Sequence, residues 1–324
     1  MSLSRPDARI TVDGRELGAD EAGLYRLRVD LAADGSHDAA ALQLWPRSKF
    51  ADTAIGASVS IALGARGATE AVWRGEITTR RHAPEWVALD GLAATVALSR
   101  TARAQTYLNQ TVAQIVRDLA GDADIDAVDA ELQLNAYHVD NRRPLWNQLR
   151  ALARLVGADL GSAASGGLRF VPAAGAMAPR TLRYGAELLD WSLVWNAVRP
   201  PVAVAAYGSA SEAGEAHWHW LSHEPVGAGA EPTQVSAPLA TRDAAQAVQR
   251  ALQQRADRAA YGGELLLQGV PGVRPGDAVQ LTELPGADPG VLRVREVHHR
   301  FDATSGFLTR LRVEGGSRGL GGLA

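Results

Sequence analysis

The chain is predicted to be mainly β (α+β), with two β-rich units flanking a small α+β middle region, and three observations carry that prediction. Apolar residues alternate with polar ones in the stretch 269–313, where Val279, Leu281, Leu292, Val294, Leu311 and Val313 mark one face of successive strands. Pro-Gly and Asp-Pro-Gly pairs separate those strands, as tight turns demand. The stretch also has a twin upstream. Gly56-Ala57-Ser58-Val59-Ser60-Ile61 aligns with Gly276-Asp277-Ala278-Val279-Gln280-Leu281, and Glu76–Arg80 with Glu296–Arg300, both at a spacing of 220 residues. In that register Val72 falls on Leu292 and Val87 on Phe307, which points to a duplicated β-unit with one copy near each end.

Taken in order, Tyr25, Leu27, Val29 and Leu31 alternate with Arg26, Arg28 and Asp30, the pattern of a strand with one wet face. Segments 41–45, 58–63, 72–79, 86–89 and 95–99 read as further short strands, enough for a sandwich or barrel over residues 1–104. The character changes at Gln105. Thr111 is placed to cap a helix over Val112–Ala120, whose Val112, Ile115, Val116 and Leu119 form one apolar stripe before the Gly121 stop. A second helix follows Pro144, with Leu145, Leu149, Leu152 and Val156 at helical spacing and Gly157 ending it. Short strands at 168–171 and 181–184 surround a flexible 161–167 loop, so residues 105–188 make a small α+β region. From there to residue 314 the β pattern returns. Strands are expected at 191–195, 202–207, 216–221 and 264–268, together with a helix over 241–259 capped by Thr241. Residues 315–324 are too glycine-rich to order themselves and read as a tail.

Composition narrows the function classes. The 324 residues are 46% hydrophobic and 21% charged, a globular balance with room for several cores. No apolar run reaches the ~18 residues needed to cross a bilayer, and residues 1–7 lack the basic-then-apolar order of a signal peptide. The expectation is a protein made and kept in a cytosol, or leaving it by a route that reads no such signal, with no direct membrane insertion. A formal charge of −3 with both signs interspersed gives no footprint for nucleic acid. The lack of cysteine excludes disulfides, thiolate metal sites and cysteine nucleophiles.

Candidate chemistry is sparse. His217-Trp218-His219-Trp220 with His223 is the most tempting cluster, because His217 and His219 would share one face of a strand. No third ligand with its supporting partners is visible, and alternating aromatics on a strand fit packing as well. His298 and His299 point to opposite faces of their strand and cannot jointly hold one ion. The acidic run 122–126 starts like a calcium loop, yet Ala127 and Gln133 stand where glycine and a bidentate glutamate are required. Asn109-Gln110-Thr111 is a formal glycosylation sequon that reads as a helix entry. No phosphate-cradling loop, nucleophile elbow or zinc-protease helix motif occurs. No catalytic, cofactor-binding or metal residue is therefore assigned. Two alternatives stay open: a hydrolase whose site leaves no local motif, and a carbohydrate- or surface-binding β-module using exposed tryptophans.

The passages RALQQRADRAAYGGELLLQGVPGVRPGDAVQLTEL and GVLRVREVHHRFDATSGFLTRLRV resemble the C-terminal barrel of the phage late control protein D family. Members of that family are hubs of contractile tails, related to the N-terminal half of VgrG-type spike proteins. The middle passages TVAQIVRDLAGDADI and RPLWNQLRALARLVGADLG look like the same family's inner region. The resemblance implies two tube-like β-barrel domains flanking the α+β middle: 1–104 and 189–314, the latter with helix 241–259, around 105–188. It further implies a homotrimer whose six barrels continue a sixfold tail tube on one side and seat a threefold spike on the other, without chemistry of its own. Implied partners are a tail tube or tube-initiator protein, a separate spike protein and baseplate wedge proteins. The particle would be assembled in the cytoplasm and carried in a phage tail, a bacteriocin or a toxin-delivering injection system. VgrG-type chains continue past the second barrel, whereas this sequence runs into its glycine-rich tail, so the expectation is that piercing belongs to another polypeptide.

Overall fold

The computed structural model describes residues 5–173, 178–196, 202–206, 225–227, 234–236, 239, 242–286 and 288–315. The first unit holds strands β1 (Pro6–Val12), β2 (Arg15–Gly18), β3 (Leu24–Ala32), β4 (Ala39–Leu44), β5 (Ser58–Ala65), β6 (Ala68–Ala83) and β7 (Trp86–Ala93), with a single helical turn α1 (Ala19–Ala22). A 3-10 turn follows at Ala94–Ser99, where a strand was expected over 95–99. The middle holds β8 (Gln105–Thr111), α2 (Val112–Ala120), β9 (Ile125–Val128), β10 (Gln133–Val139), α3 (Leu145–Val156), β11 (Ala158–Ser162) and β12 (Leu168–Pro172). The remainder comprises β13 (Arg180–Arg183), β14 (Leu188–Trp195), β15 (Val204–Ala206), β16 (Pro225–Val226), β17 (Gln234–Ser236), α4 (Arg242–Ala259), β18 (Tyr261–Gln268), β19 (Ala278–Thr282), β20 (Val291–Asp302) and β21 (Gly306–Gly315). The chain is mainly β, with large antiparallel sheets. The strand expected over 216–221, the Thr241 cap and residues 316–324 lie outside the described residues.

The helices obey their end signals. The Thr111 hydroxyl accepts from the Gln114 amide while the Gln114 side chain accepts from the Thr111 amide, a reciprocal capping box at the head of α2. Gly157 stops α3 in the left-handed region at φ 68°, which a residue with a side chain enters at a cost.

Most strands join one sheet of thirteen in the order β14-β18-β21-β20-β3-β4-β7-β6-β5-β1-β2, with β19 and β13 branching from β20. Two tube-like β-barrel domains were expected. The described strands instead run continuously from one unit into the next, because β20 pairs with both β21 and β3, and no closed barrel is present among the described pairings. The duplication itself is plain in the connectivity. The five strands β3 to β7 lie in the spatial order third, fourth, fifth, second, first, and β14, β18, β19, β20 and β21 repeat that order with every contact antiparallel.

The bulges repeat as well. One falls at Tyr25 in β3 and at Leu189 in β14; another falls at Thr78 in β6 and at Arg295 in β20. Gly56 donates to the Ile77 carbonyl at 2.7 Å and Gly276 to the Val294 carbonyl at 2.8 Å, each glycine sitting at positive φ. The spacing of 220 therefore holds at the glycines. On the next strand the counterpart of Ile77 is Val294, not Val297, because the β5–β6 hairpin is three residues longer than its copy between Ser58↔Glu76 and Ala278↔Arg293.

One apolar core runs under both units, from Ile10, Leu27 and Trp73 to Val279, Val297 and Leu311. Each fully buried large apolar side chain contributes about 1.5–3 kcal/mol. Trp73 lies flat against Gly75 and Gly91, where a Cβ would sit 2.5 Å and 2.8 Å from its ring. A second core joins α2 and α3 to the β8–β10 and β11–β12 pairs and takes in Ala245 and Val248 of α4. Residues 265–267 of β18 and 279–281 of β19 do not lie at sheet edges. They are interior: β18 lies between β14 and β21, and β19 between β13 and β20.

Candidate functional site

The duplicated units meet at the β3–β20 seam, and the charges gathered there define the most elaborate polar region among the described residues. Val297 and His299 of β20 lie opposite Leu31 and Val29 of β3, filling the buried side. On the other side the His298 ring sits 2.7 Å from Asp30 and 3.4 Å from Glu296. The bond to Asp30 raises its pKa above the ordinary histidine range against the opposing effect of burial. His299, by contrast, is enclosed and bonded to the Thr309 hydroxyl at 3.0 Å; burial drives its pKa down to about 3 and keeps it neutral. The two histidines do point to opposite faces, as their adjacency on a strand requires.

Arg274, in the turn before β19, reaches across to donate to the Ala71 and Val72 carbonyls of β6, clamping the second unit onto the first. Nearby, Asp38 is buried and accepts from the Ala32 amide at 2.9 Å; burial pushes its pKa up to about 7. The middle region is tied to the sheet by a second knot. Arg293 of β20 bonds Asp159 of β11 and Glu314 of β21, and Arg258 of α4 lies 3.4 Å from the same Glu314, all four side chains nearly buried. A third tie stacks His37 on Trp146 at 4.3 Å, with the indole N–H donating to the Gly35 carbonyl at 2.9 Å. Burial lowers the His37 pKa to about 4.

None of this assembles into a recognisable reaction centre. A groove of about 310 Å³ opens between α3 and α4, lined by Val156, Pro172, Ala247, Arg250, Gln254 and Arg258, with cations but no carboxylate. Among the described residues no group of three or more His, Asp or Glu is placed to hold a metal ion. No helix of these residues is long and apolar enough to cross a membrane. The cluster His217, His219 and His223, with Trp218 and Trp220, lies outside the described residues. Asp126 of the acidic run pairs with Arg169 at 2.7 Å, while Asp124 offers its backbone carbonyl to Leu168. Sequence reading missed the Arg293–Asp159–Glu314 knot. Asp159 and Arg293 are 134 positions apart, and no local spacing could join them.

No protein-family model matches the chain, and no curated protein matches it in sequence. Among solved structures, a tail protein from Neisseria meningitidis MC58 has a TM-score of 0.73 at 17% identity, over 96% of this chain and 96% of that one. The chain has a tail-protein fold. The 43 kDa tail protein of prophage MuSo2 from Shewanella oneidensis is similar at a TM-score of 0.68 and 14% identity, over 95% of this chain and 98% of that one. An E. coli component of the type VI secretion system, described as structurally similar to the T4 bacteriophage tail proteins gp27 and gp5, has a TM-score of 0.61 at 12% identity. It matches over 91% of this chain and 74% of its own.

Proposed function

We propose that this protein is the structural hub of a contractile tail or tail-like injection particle, acting through its interfaces and not through chemistry of its own. The observation that carries the reading is the repeated strand order, with bulges and glycine turns in matching places in both units. In the proposal each unit serves as one tube-like barrel domain, 1–104 and 189–314, around the middle region 105–188. Three chains then present six near-equivalent faces to a sixfold tail tube, while three copies of the middle region follow threefold symmetry and seat a spike. Duplication thereby reconciles two symmetries within one closed ring. The tail-protein folds of the similar structures support this reading, as does the shared core, which makes two units of one chain a rigid pair. Its partners would be the tube or tube-initiator protein, the spike and the baseplate wedge.

The test is mass in solution together with an image of the particle. The expected result is an assembly of three 34.2 kDa chains that sits where the tube ends. A monomer at all concentrations, one that never joins a tube, overturns the reading.

A further inference from the structure

The two strands that form the seam inside the chain each have a counterpart in the repeat. In the seam, the last part of β20 pairs with β3, the first strand of the other unit, with Val297 opposite Leu31, His298 opposite Asp30 and His299 opposite Val29. The repeat supplies the same two elements once more. The first strand of the second unit is β14, and bulge for bulge its Leu193 and Trp195 stand where Val29 and Leu31 stand in β3. The fourth strand of the first unit is β6, whose Arg80 and His82 stand where Val297 and His299 stand in β20.

Both of these edges are open among the described residues. β14 pairs with β18 on one side, and apart from a single bridge at Leu188 no described strand lies on the other. β6 pairs with β5 only through Glu76, so its stretch from Thr79 to Ala83 has β7 on one side alone. Exposure follows. Leu31 is 3% exposed beneath its partner strand, whereas its counterpart Trp195 is 48% exposed; Val194, the counterpart of Asp30 on the other face, is 63% exposed, and Leu193 is partly buried against the core. An edge strand with bare apolar side chains invites another strand.

Building on the proposed hub, we propose that the β14 edge of one copy pairs antiparallel with residues 79–83 of β6 in the next copy, repeating the internal seam. The internal register fixes the external one: Arg80 opposite Trp195, Arg81 opposite Val194, His82 opposite Leu193 and Ala83 opposite Ser192. Arg80, whose guanidinium donates to the Thr53 carbonyl at 3.1 Å within its own chain, then stands beside the Trp195 ring, itself stacked on Tyr261 at 4.7 Å, an attraction suited to a guanidinium and an indole. The contact is head-to-tail. Every chain offers β14 to one neighbour and β6 to the other, and because the step matches the one inside the chain, successive units become near-equivalent around a closing ring.

Because the chain has no cysteine, engineered pairs report cleanly. Residues directly opposite on antiparallel strands bring Cα atoms within the reach of a disulfide. Ala83→Cys and Ser192→Cys are introduced in separate chains, mixed and oxidised, with His82→Cys and Leu193→Cys as a second pair in case either substitution disturbs folding. Linked dimers are expected from both matched mixtures. In the off-register mixture of Ala83→Cys with Trp195→Cys, linkage should fall at least tenfold. An assembly of normal mass that links at neither matched pair overturns this contact and leaves the hub reading standing. Failure of the unmodified protein to assemble at all overturns both, as would equal linkage in the off-register mixture for the contact alone.

Discussion

Replacing Arg293 with methionine tests whether the buried charge knot holds the middle region to the sheet. Arg293 is the cation between Asp159 on β11 and Glu314 on β21, with all three side chains only 11–15% exposed. Removing it leaves Glu314 with Arg258 at 3.4 Å, but strips Asp159 of its bonded partner. Breaking one side of a buried pair in this way costs about 3–5 kcal/mol, most of it the penalty of an unpaired buried charge. If the chain unfolds as one cooperative unit, that is a fall in Tm of roughly 5–8 °C at its size. Burial already raises the Asp159 pKa, and loss of Arg293 raises it further. The sign is then fixed: a carboxyl whose folded pKa exceeds its unfolded value stabilises at low pH and ceases to do so as pH rises through the folded pKa. The variant's deficit should therefore shrink on acidification. The double variant Arg293→Met/Asp159→Leu removes the orphaned charge and should recover to within about 1 kcal/mol of the parent. Urea titrations at pH 5 and pH 8 on parent, single and double variants measure all of this. A single-variant loss below about 1 kcal/mol, or a double variant no better than the single, refutes the reasoning.

Asp38→Asn should remove a pH slope. The buried carboxyl holds its proton up to about 7 while the unfolded chain releases it near pH 4, so the parent loses up to about 4 kcal/mol as pH rises through that window and the variant does not; a stability difference that stays flat between pH 5 and pH 8 contradicts this. Gly91→Val drives a side chain into Trp73 and the Glu76 carbonyl, and should cost at least about 3 kcal/mol, read by denaturant unfolding with Trp fluorescence. Thr111→Ala abolishes the α2 capping box and should cost about 1 kcal/mol, with hydrogen exchange accelerating in the first turn of α2 and not in the β3–β20 seam.

Much of the architecture was legible because it is local. The alternation of Leu27, Val29 and Leu31, the Thr111 cap and the Gly157 stop each depend on neighbours within a few residues, and each stands in the structure close to its expected place, whereas Tyr25, expected on the same face as those strand residues, lies exposed at the bulge. The repeat was legible at Gly56 and Gly276, where turn geometry demands glycine. It was misread by three residues at Ile77, since strand patterns of period two tolerate a wrong register while the bulges that anchor the true one leave no mark in composition. The 95–99 segment is apolar enough for a strand yet too near a chain reversal to pair, and it closes as a 3-10 turn instead. β1 and β2 went unnoticed, although Ile10, Val12 and Leu17 are core residues, because the segment is short and heavily charged. Nothing in the sequence signalled the seam. Asp30 and His298 meet across 268 positions, and a strand does not announce which distant edge it will join.

That distance has a consequence for biosynthesis. Strand β3 spans 24–32, but the strand that covers its outer edge spans 291–302, so the edge stays bare until that later strand has left the ribosome. A nascent chain thus carries an adhesive flank matched to the β20–β21 hairpin of any finished copy nearby. Crowded polysomes would favour exchange of that hairpin between siblings, and the cell's interest lies in spacing translation, or in a chaperone that shields residues 24–32 until their own partner arrives.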